Sequence, residues 1–328
     1  MLGNNNFRAS CWGVVFFFSA LFFTGCSNED TVVGNEVSEA AIDFDCSVSN
    51  LRTVKSITSD MQYFRVSAVW NKGGSNYESF MDNQLVEKQN DSWVYSPVKH
   101  WPGYGSVSFF AYSPAISSGI KLFNIDGTAN QLTIGYELST DYQKQEDFMV
   151  AVSPEKKASP ILLNFNHVLS SVSIKARSNE LGVTFRIKEI KFTNLYSKAL
   201  FTCTALNTTT PFWGWYEQID STEYLVYQKY PFETSDTYKE VGSLMVIPQK
   251  KDQIDNPGSS FKITVLCDII GVAEDKIGEY TLDKEFEFEM GKRYTFYLDL
   301  NSQFFRSQKQ GARSLVVKCH IVSELNEK

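Results

Sequence analysis

Apolar and polar residues alternate in one segment after another along this chain, and that period of two constrains the fold more than any other feature. The apolar members of the clearest segments are Ile42, Phe44, Cys46 and Val48; Phe64, Val66, Ala68 and Trp70; Val107, Phe109 and Ala111; Val172, Ile174 and Ala176; and Phe261, Ile263, Val265, Cys267 and Ile269. Successive side chains of a β-strand point to opposite faces, so each segment predicts a strand with one buried face. Many short strands separated by turn residues predict an all-β protein built of β-sandwiches.

Two local features refine this prediction. Between Val183 and Phe192 the apolar phase slips by one residue at Lys188-Glu189, which predicts a β-bulge. Further on, Gly291-Lys292 separates two apolar alternations, and this pair of residues predicts a hairpin with a type II′ turn.

The N-terminal 25 residues have the pattern of an export signal. Arg8 precedes an apolar run over residues 12–23, which is too short to span a membrane stably. The sequence Phe-Thr-Gly-Cys26 that follows resembles a bacterial lipobox, and the acidic stretch after it resembles the surface-export tag of Bacteroidetes lipoproteins. The resemblance implies removal of residues 1–25 as a lipoprotein signal peptide and acylation of Cys26, with palmitate among the acyl groups, in the outer membrane. An ordinary secretory signal that happens to contain a cysteine is the alternative.

Length and composition divide the rest of the chain. At roughly 100 to 200 residues per domain, 328 residues predict two domains. Residues 26–40 are polar and lack periodicity, so they are predicted to be a tether. The stretch from Ser153 to Pro160 is the predicted boundary between an N-terminal β-sandwich domain, 41–156, and a C-terminal β-sandwich domain, 157–328.

Charge and cysteine spacing argue against two classes of partner. A net charge of −7 offers no basic face to phosphates, so no nucleic-acid partner is expected. The cysteines of the mature protein are Cys46, Cys203, Cys267 and Cys319. None forms a Cys-x-x-Cys pair, so buried thiols are predicted rather than a zinc site, and one disulfide remains an open alternative.

Catalytic motifs are not found in the sequence. His100, His167 and His320 fall in separate segments without metal-ligand spacing, and no Gly-x-Ser-x-Gly or phosphate-binding glycine loop is present. No metal, cofactor or catalytic residue is therefore predicted. A hydrolase with paired carboxylates is the remaining enzymatic alternative, because the separation of such a pair depends on the fold.

Several segments resemble the fimbrillin family of Bacteroidales, which comprises major and minor fimbrial subunit lipoproteins. They are Trp93-Val-Tyr-Ser-Pro97, His100-Trp-Pro102, Val107-Ser-Phe-Phe-Ala-Tyr-Ser-Pro114, Gln145-Glu-Asp-Phe-Met-Val-Ala151, Leu163-Asn-Phe-Asn-His-Val-Leu169 and Leu244-Met-Val-Ile-Pro-Gln249. The resemblance implies two transthyretin-like β-sandwich domains and a surface-exposed structural or accessory pilus subunit, an anchor, stalk or tip, in adhesion. It also implies other pilus subunits as partners, with a host or bacterial surface receptor or glycan as a further partner.

In pilus stalk subunits the resemblance implies assembly by strand exchange after proteolysis. The replaceable first strand would present Ile42, Phe44, Cys46 and Val48, and Arg52 and Lys55 are the candidate processing sites. The candidate donor strand presents Leu315, Val317, Cys319 and Ile321, and the alternative is that this strand completes its own domain. Removing a strand leaves an apolar groove and unpaired edges that another strand can fill.

A second interpretation makes the chain a surface glycan-binding lipoprotein of a polysaccharide uptake system. Aromatic rings stack well on sugars, and Trp213, Trp215 and Tyr216 follow a Thr-rich loop outside the segments of the resemblance. These three residues are the candidate ligand surface. Packing in a sandwich core is the competing explanation for aromatic residues in a strand.

Overall fold

The computed structural model describes residues 40–48, 61–205, 212–227, 232–250, 260–282, 286–304, 306–307, 313–314 and 316–322. Within these residues the secondary structure is almost entirely β, which confirms the all-β prediction. The short exceptions are two 3₁₀ turns, Tyr142–Lys144 and Ser302–Phe304. In the part of the chain that is described, no helix is long and apolar enough to cross a membrane.

The strands are β1 Phe44–Val48, β2 Tyr63–Asn71, β3 Tyr77–Gln89, β4 Ser92–Val94, β5 Ser106–Ser113, β6 Ile120–Asp126, β7 Gln131–Glu137, β8 Met149–Lys156, β9 Ile161–His167, β10 Ser170–Ser178, β11 Phe185–Thr204, β12 Phe212–Tyr227, β13 Phe232–Glu233, β14 Lys239–Val246, β15 Gln249–Lys250, β16 Lys262–Ile269, β17 Val272–Thr281, β18 Glu287–Phe288, β19 Arg293–Leu300, β20 Arg306–Ser307, β21 Arg313–Ser314 and β22 Val316–Val322.

These strands form three main sheets. The first sheet has seven strands in the order β1-β9-β8-β5-β2-β3-β4. The second has four strands in the order β14-β10-β19-β22. The third has the order β20-β17-β16-β11-β7-β6, and its long strand β11 also pairs with β12 and β13. Strands β15 and β18 form a separate two-stranded ribbon.

Two hydrophobic cores result from this arrangement. The first core lies on one face of the seven-stranded sheet and contains Phe64, Phe109 and Phe165. The second core lies between the four-stranded sheet and the β11 sheet, where Phe192 packs edge-to-face on Phe296 with ring centroids 5.5 Å apart. Burial of these large apolar side chains is the main favourable contribution to folding.

The seven-stranded sheet is buried on both of its faces at its centre. Every residue of β5 is buried. Phe109 contributes to the first core, whereas Phe110 and Tyr112 on the opposite face contribute to the second core, together with Val69 and Val150 of neighbouring strands. The alternation in the sequence predicts one buried face here. The structure adds a second buried face, because side chains on the back of this sheet belong to the second core.

The predicted bulge is confirmed and the predicted hairpin is wrong. The pairing of β11 with β16 shifts register between Ile187 and Glu189, which is where the apolar phase slips. Around Gly291, however, β18 pairs with β15, and β19 pairs with β10 in parallel and with β22. The turn does bend the chain, but the amide of Gly291 donates to the carbonyl of Leu169 (3.1 Å), so the turn is held against the bend between β9 and β10.

Sheet membership does not follow a single cut near residue 156. Ile120–Asp126 and Gln131–Glu137 precede that position and belong to the β11 sheet, whereas Ile161–His167 follows it and belongs to the seven-stranded sheet. The chain therefore passes between these two sheets more than once. The limits 41–156 and 157–328 stay a prediction.

Candidate functional site

Strand β1 lies at the margin of the seven-stranded sheet, and one of its edges pairs with β9. The pairing is parallel, with Phe44 opposite Ile161 and Val48 opposite Phe165. Parallel pairs require a crossover connection, and here the two strands are more than 110 residues apart in the sequence. Sequence patterns of short range cannot show this partnership.

The residues just before β1 contact the segment that follows β4. The amide of Ile42 donates to the carbonyl of Lys99 (2.9 Å), and the amide of Trp101 donates to the carbonyl of Ala40 (3.0 Å). The chain over residues 40–48 is therefore hydrogen-bonded to residues 99–101 at its start and to β9 along the strand itself.

Alternate side chains of this segment face the first core. Ile42 is fully buried and Phe44 is 7% exposed, whereas Cys46 and Val48 are partly buried against the same core. The ring of Phe44 lies 5.8 Å from Phe64, 5.5 Å from Tyr95 and 5.8 Å from Phe109 between centroids. The four residues of the predicted replaceable strand thus share the core side of this segment.

Two side chains, Tyr95 and Ser159, hydrogen-bond to the backbone of this segment. The hydroxyl of Tyr95 donates to the carbonyl of Ile42 (2.9 Å). Ser159 Oγ donates to the carbonyl of Ala41 (3.1 Å) and accepts from the amide of Asp43 (3.0 Å) and from Trp101 Nε1 (2.9 Å). One donor and two acceptors are all that a serine hydroxyl has, so Ser159 is fully used here.

Cys46 is a free thiol within this strand. Burial raises its pKa to about 12, the carboxylate of Asp45 adds to the rise, and Lys88 acts in the opposite direction. Cys203 and Cys267 are also free and buried, and burial raises the pKa of both thiols. A thiol with a raised pKa is a poor nucleophile at neutral pH, which fits a packing role for all three.

The candidate donor strand pairs within its own chain. Strand β22 lies antiparallel to β19, with Val317 opposite Leu298 and Ile321 opposite Tyr294, at the margin of the four-stranded sheet. Leu315 lies outside the described residues, and so do the side chains of Val317, Cys319 and Ile321. This pairing corresponds to the alternative in which the last strand completes its own domain.

The candidate ligand surface is divided between the two faces of β12. The indole of Trp215 packs edge-to-face on Phe201 (5.2 Å between centroids), and its Nε1 donates to the carbonyl of Val168 (2.7 Å). Tyr216, the next residue in the strand, is 41% exposed on the other face. Trp215 therefore belongs to the second core and cannot stack on a sugar beside Tyr216. The side chain of Trp213 lies outside the described residues.

His167 and Asp147 form a buried pair that the sequence did not reveal. His167 Nδ1 lies 2.8 Å from Asp147 Oδ2, and both side chains are almost fully buried where β9 ends and β8 begins. His167 is opposite Met149 in the ladder, so the strand register brings the pair together. His100 forms an isolated bridge with Ala41 instead. Among the described residues, no group of three His, Cys, Asp or Glu could hold a metal ion.

Three predicted site residues, the lipidation site and the two processing sites, are not among the described residues. They are Cys26, Arg52 and Lys55.

These features define a class of protein: an all-β sandwich protein whose first described strand, at the margin of its sheet, carries part of a hydrophobic core. The chain belongs to the fimbrillin-like family, because the family model matches residues 52–321, most of its length. Strand β1 lies just before the matched range. No curated protein sequence matches the chain.

Solved structures share this fold. A fimbrial protein from Bacteroides vulgatus superposes with a TM-score of 0.60 at 20% identity, over 87% of this chain and 99% of that chain. A candidate cell adhesion protein from Bacteroides uniformis has a TM-score of 0.52 at 12% identity, over 87% and 99% of the two chains. A third, from Bacteroides ovatus, has a TM-score of 0.52 at 12% identity, over 88% and 99%. These likenesses show the fold.

Proposed function

We propose that this chain is a structural or accessory subunit of a cell-surface pilus that acts in adhesion and assembles by β-strand exchange. It is held in the outer membrane by lipid on Cys26, and its partners are other pilus subunits. It is a structural protein and not an enzyme. Family membership supports the pilus assignment.

A single observation carries the assembly mechanism. Strand β1 supplies core side chains, yet it is bonded to the sheet along one edge by β9 and at its start by residues 99–101. Its removal would uncover Phe64, Tyr95 and Phe109 and would leave the edge of β9 unpaired. A strand from another subunit restores both the core contacts and the ladder, which is the physical basis of β-augmentation.

A disulfide lock on β1 tests strand exchange directly. Ser47 and Asn164 are opposite each other in the β1–β9 ladder, both are exposed, and their side chains are hydrogen-bonded. We expect the double variant Ser47→Cys, Asn164→Cys to reach the cell surface but to be absent from sheared filaments. Reduction before assembly should restore incorporation. Ser47→Cys alone is the matched control, because it cannot form the cross-link.

The N-terminus of the native protein tests the processing step. Intact-mass and N-terminal analysis would compare the outer membrane with sheared filaments. A terminus just after Arg52 or Lys55 in filaments is the expected result for a stalk subunit, whereas a diacylated Cys26 confined to the membrane identifies an anchor. Filaments in which the locked variant polymerises as well as wild type would overturn strand exchange.

A further inference from the structure

Phe44, the first core-facing residue of β1, occupies an aromatic pocket. Phe44 meets Phe64 and Phe109 edge-to-face, at interplanar angles of 89° and 84°, and Tyr95 at 59°. Edge-to-face arrangements are the preferred geometry of aromatic pairs and add to the burial of apolar area. Three rings from three separate segments of the chain therefore surround one ring of β1.

The other core-facing positions of the segment hold aliphatic or small residues. Ile42 is a fully buried aliphatic residue, whereas Cys46 and Val48 are small and only partly buried. The hydroxyls of Tyr95 and Ser159 bond to carbonyls and an amide of the segment, which every strand possesses. Discrimination between strands must therefore come mainly from the side chain in the Phe44 pocket.

The last strand of this chain does not match that pocket. Residues 313–323 contain no Phe, Tyr or Trp, so no register of this segment offers a large apolar ring, and its only ring is the small polar imidazole of His320. In the register that aligns the two alternations, Leu315 corresponds to Ile42, Val317 to Phe44, Cys319 to Cys46 and Ile321 to Val48. Val317 would leave much of the volume of a phenyl ring empty, and a cavity in a packed core is costly.

We infer that the groove beneath β1 selects a donor strand with an aromatic side chain at the Phe44 position, and that this strand comes from a different subunit rather than from the C-terminal strand of a second copy. The inference rests on the proposed function, because it requires β1 to be replaceable. It adds the chemistry of the partner strand: aliphatic, then aromatic, then two small or aliphatic residues at alternate positions.

Peptide exchange on the nicked protein tests this selectivity. In the chain without its signal peptide, residues 53–57 would be replaced by the recognition sequence of a specific protease. Cleavage there leaves the β1 segment bound to the rest of the protein without a covalent link. Labelled peptides then compete for the groove, and exchange is followed by fluorescence anisotropy. The probes are residues 40–50, the same peptide with Phe44→Val, residues 313–323, and the latter with Val317→Phe. A peptide with Asp45→Asn, an exposed position, is the control.

The peptide of residues 40–50 should bind, and Asp45→Asn should bind within about twofold of it. Phe44→Val should bind roughly 30-fold more weakly, from the loss of buried ring volume. Residues 313–323 should bind no better than Phe44→Val, and Val317→Phe should recover at least about tenfold.

Equal binding of residues 313–323 and of residues 40–50 would overturn the selectivity and leave strand exchange intact. Failure of residues 40–50 themselves to exchange would instead contradict the proposed function, so the two failures are distinguishable.

Discussion

At the scale of single residues, Cys46 reports whether β1 is in place. Its thiol is partly buried, and its pKa of about 12 lies well above the ordinary value of 9.0. Since the thiolate is the nucleophile, alkylation of Cys46 at pH 8 should be roughly 100-fold slower than that of an exposed thiol, after allowance for the greater intrinsic reactivity of a basic thiolate. Mass spectrometry of individual cysteines after iodoacetamide treatment measures this rate. A rate equal to that of an exposed thiol would show that β1 leaves the core spontaneously.

The same shift predicts a dependence of stability on pH. The pKa of Cys46 is higher in the folded protein than in the unfolded chain. The contribution of its neutral, buried thiol to the free energy of unfolding is therefore complete below pH 9 and is lost as the pH rises toward 12. The loss should be roughly 1 to 2 kcal/mol by pH 10.5, after allowance for partial exposure. Urea unfolding of wild type and Cys46→Ala between pH 8 and 10.5 isolates this contribution, since every other titrating group is common to both. Parallel pH profiles for the two proteins would contradict it.

Several residues of the site were found only in the structure. Ser159 lies in the stretch that the sequence marked as a domain boundary, but its hydroxyl holds the backbone of residues 41–43. Asp147 was part of a family-like segment with no assigned role, and it lies beside His167. Both relations depend on strand register across long sequence separations. Trp215 and Tyr216, by contrast, are separated by the simple rule that neighbours in a strand face opposite sides.

At the scale of elements, local patterns predicted strands well and their partners poorly. The phase slip near Lys188 located a bulge because a bulge is a local event. The hairpin at Gly291 was wrong because its second strand, β19, is a central strand whose two edges pair with β10 and β22. Turn chemistry fixes the bend of the chain, whereas the pairing is decided by which edges the rest of the fold leaves available.

The bulge in β11 yields a prediction about deletions. Ile187 and Glu189 pair with consecutive residues of β16, Cys267 and Leu266, so Lys188 is the additional residue. Deleting Lys188 should give a regular ladder in which Ile187 and Ile190 stay on the buried face. We expect this variant to fold. Its free energy of unfolding should fall by about 1 to 2 kcal/mol, because the ion pairs from Lys188 to Asp268 and Asp275 are lost.

Deletion of Lys191 from the same strand is the matched control. Lys191 pairs with Thr264 in a regular part of the ladder with β16, so its loss moves one side of the strand by one residue and turns its apolar side chains to the opposite face. This variant should fail to fold. Circular dichroism and urea unfolding of the two soluble fractions compare them. Equal tolerance of both deletions would mean that β11 is not held in this register.

At the scale of the whole molecule, the two faces of the first sheet join the two cores. Phe109 and Phe110 are neighbours in β5 and both are buried, but one lies in the first core and the other in the second. Asn130, in the turn between β6 and β7, also donates from Nδ2 to Ser108 Oγ of β5 (3.2 Å). A polar and an apolar contact thus tie the β11 sheet to the back of the seven-stranded sheet.

This arrangement predicts that the two cores unfold together. Phe109→Ala and Phe110→Ala should each remove about 3 to 5 kcal/mol and lower the same melting temperature by roughly 5 to 15 °C. Differential scanning calorimetry should show one transition in wild type and in both variants, with equal calorimetric and van't Hoff enthalpies. Two transitions, one lowered by Phe109→Ala and the other by Phe110→Ala, would instead establish independent domains. A single transition would have a consequence for the proposed strand exchange, because displacement of β1 would then weaken both cores at once. The incoming strand would have to arrive before β1 is fully released.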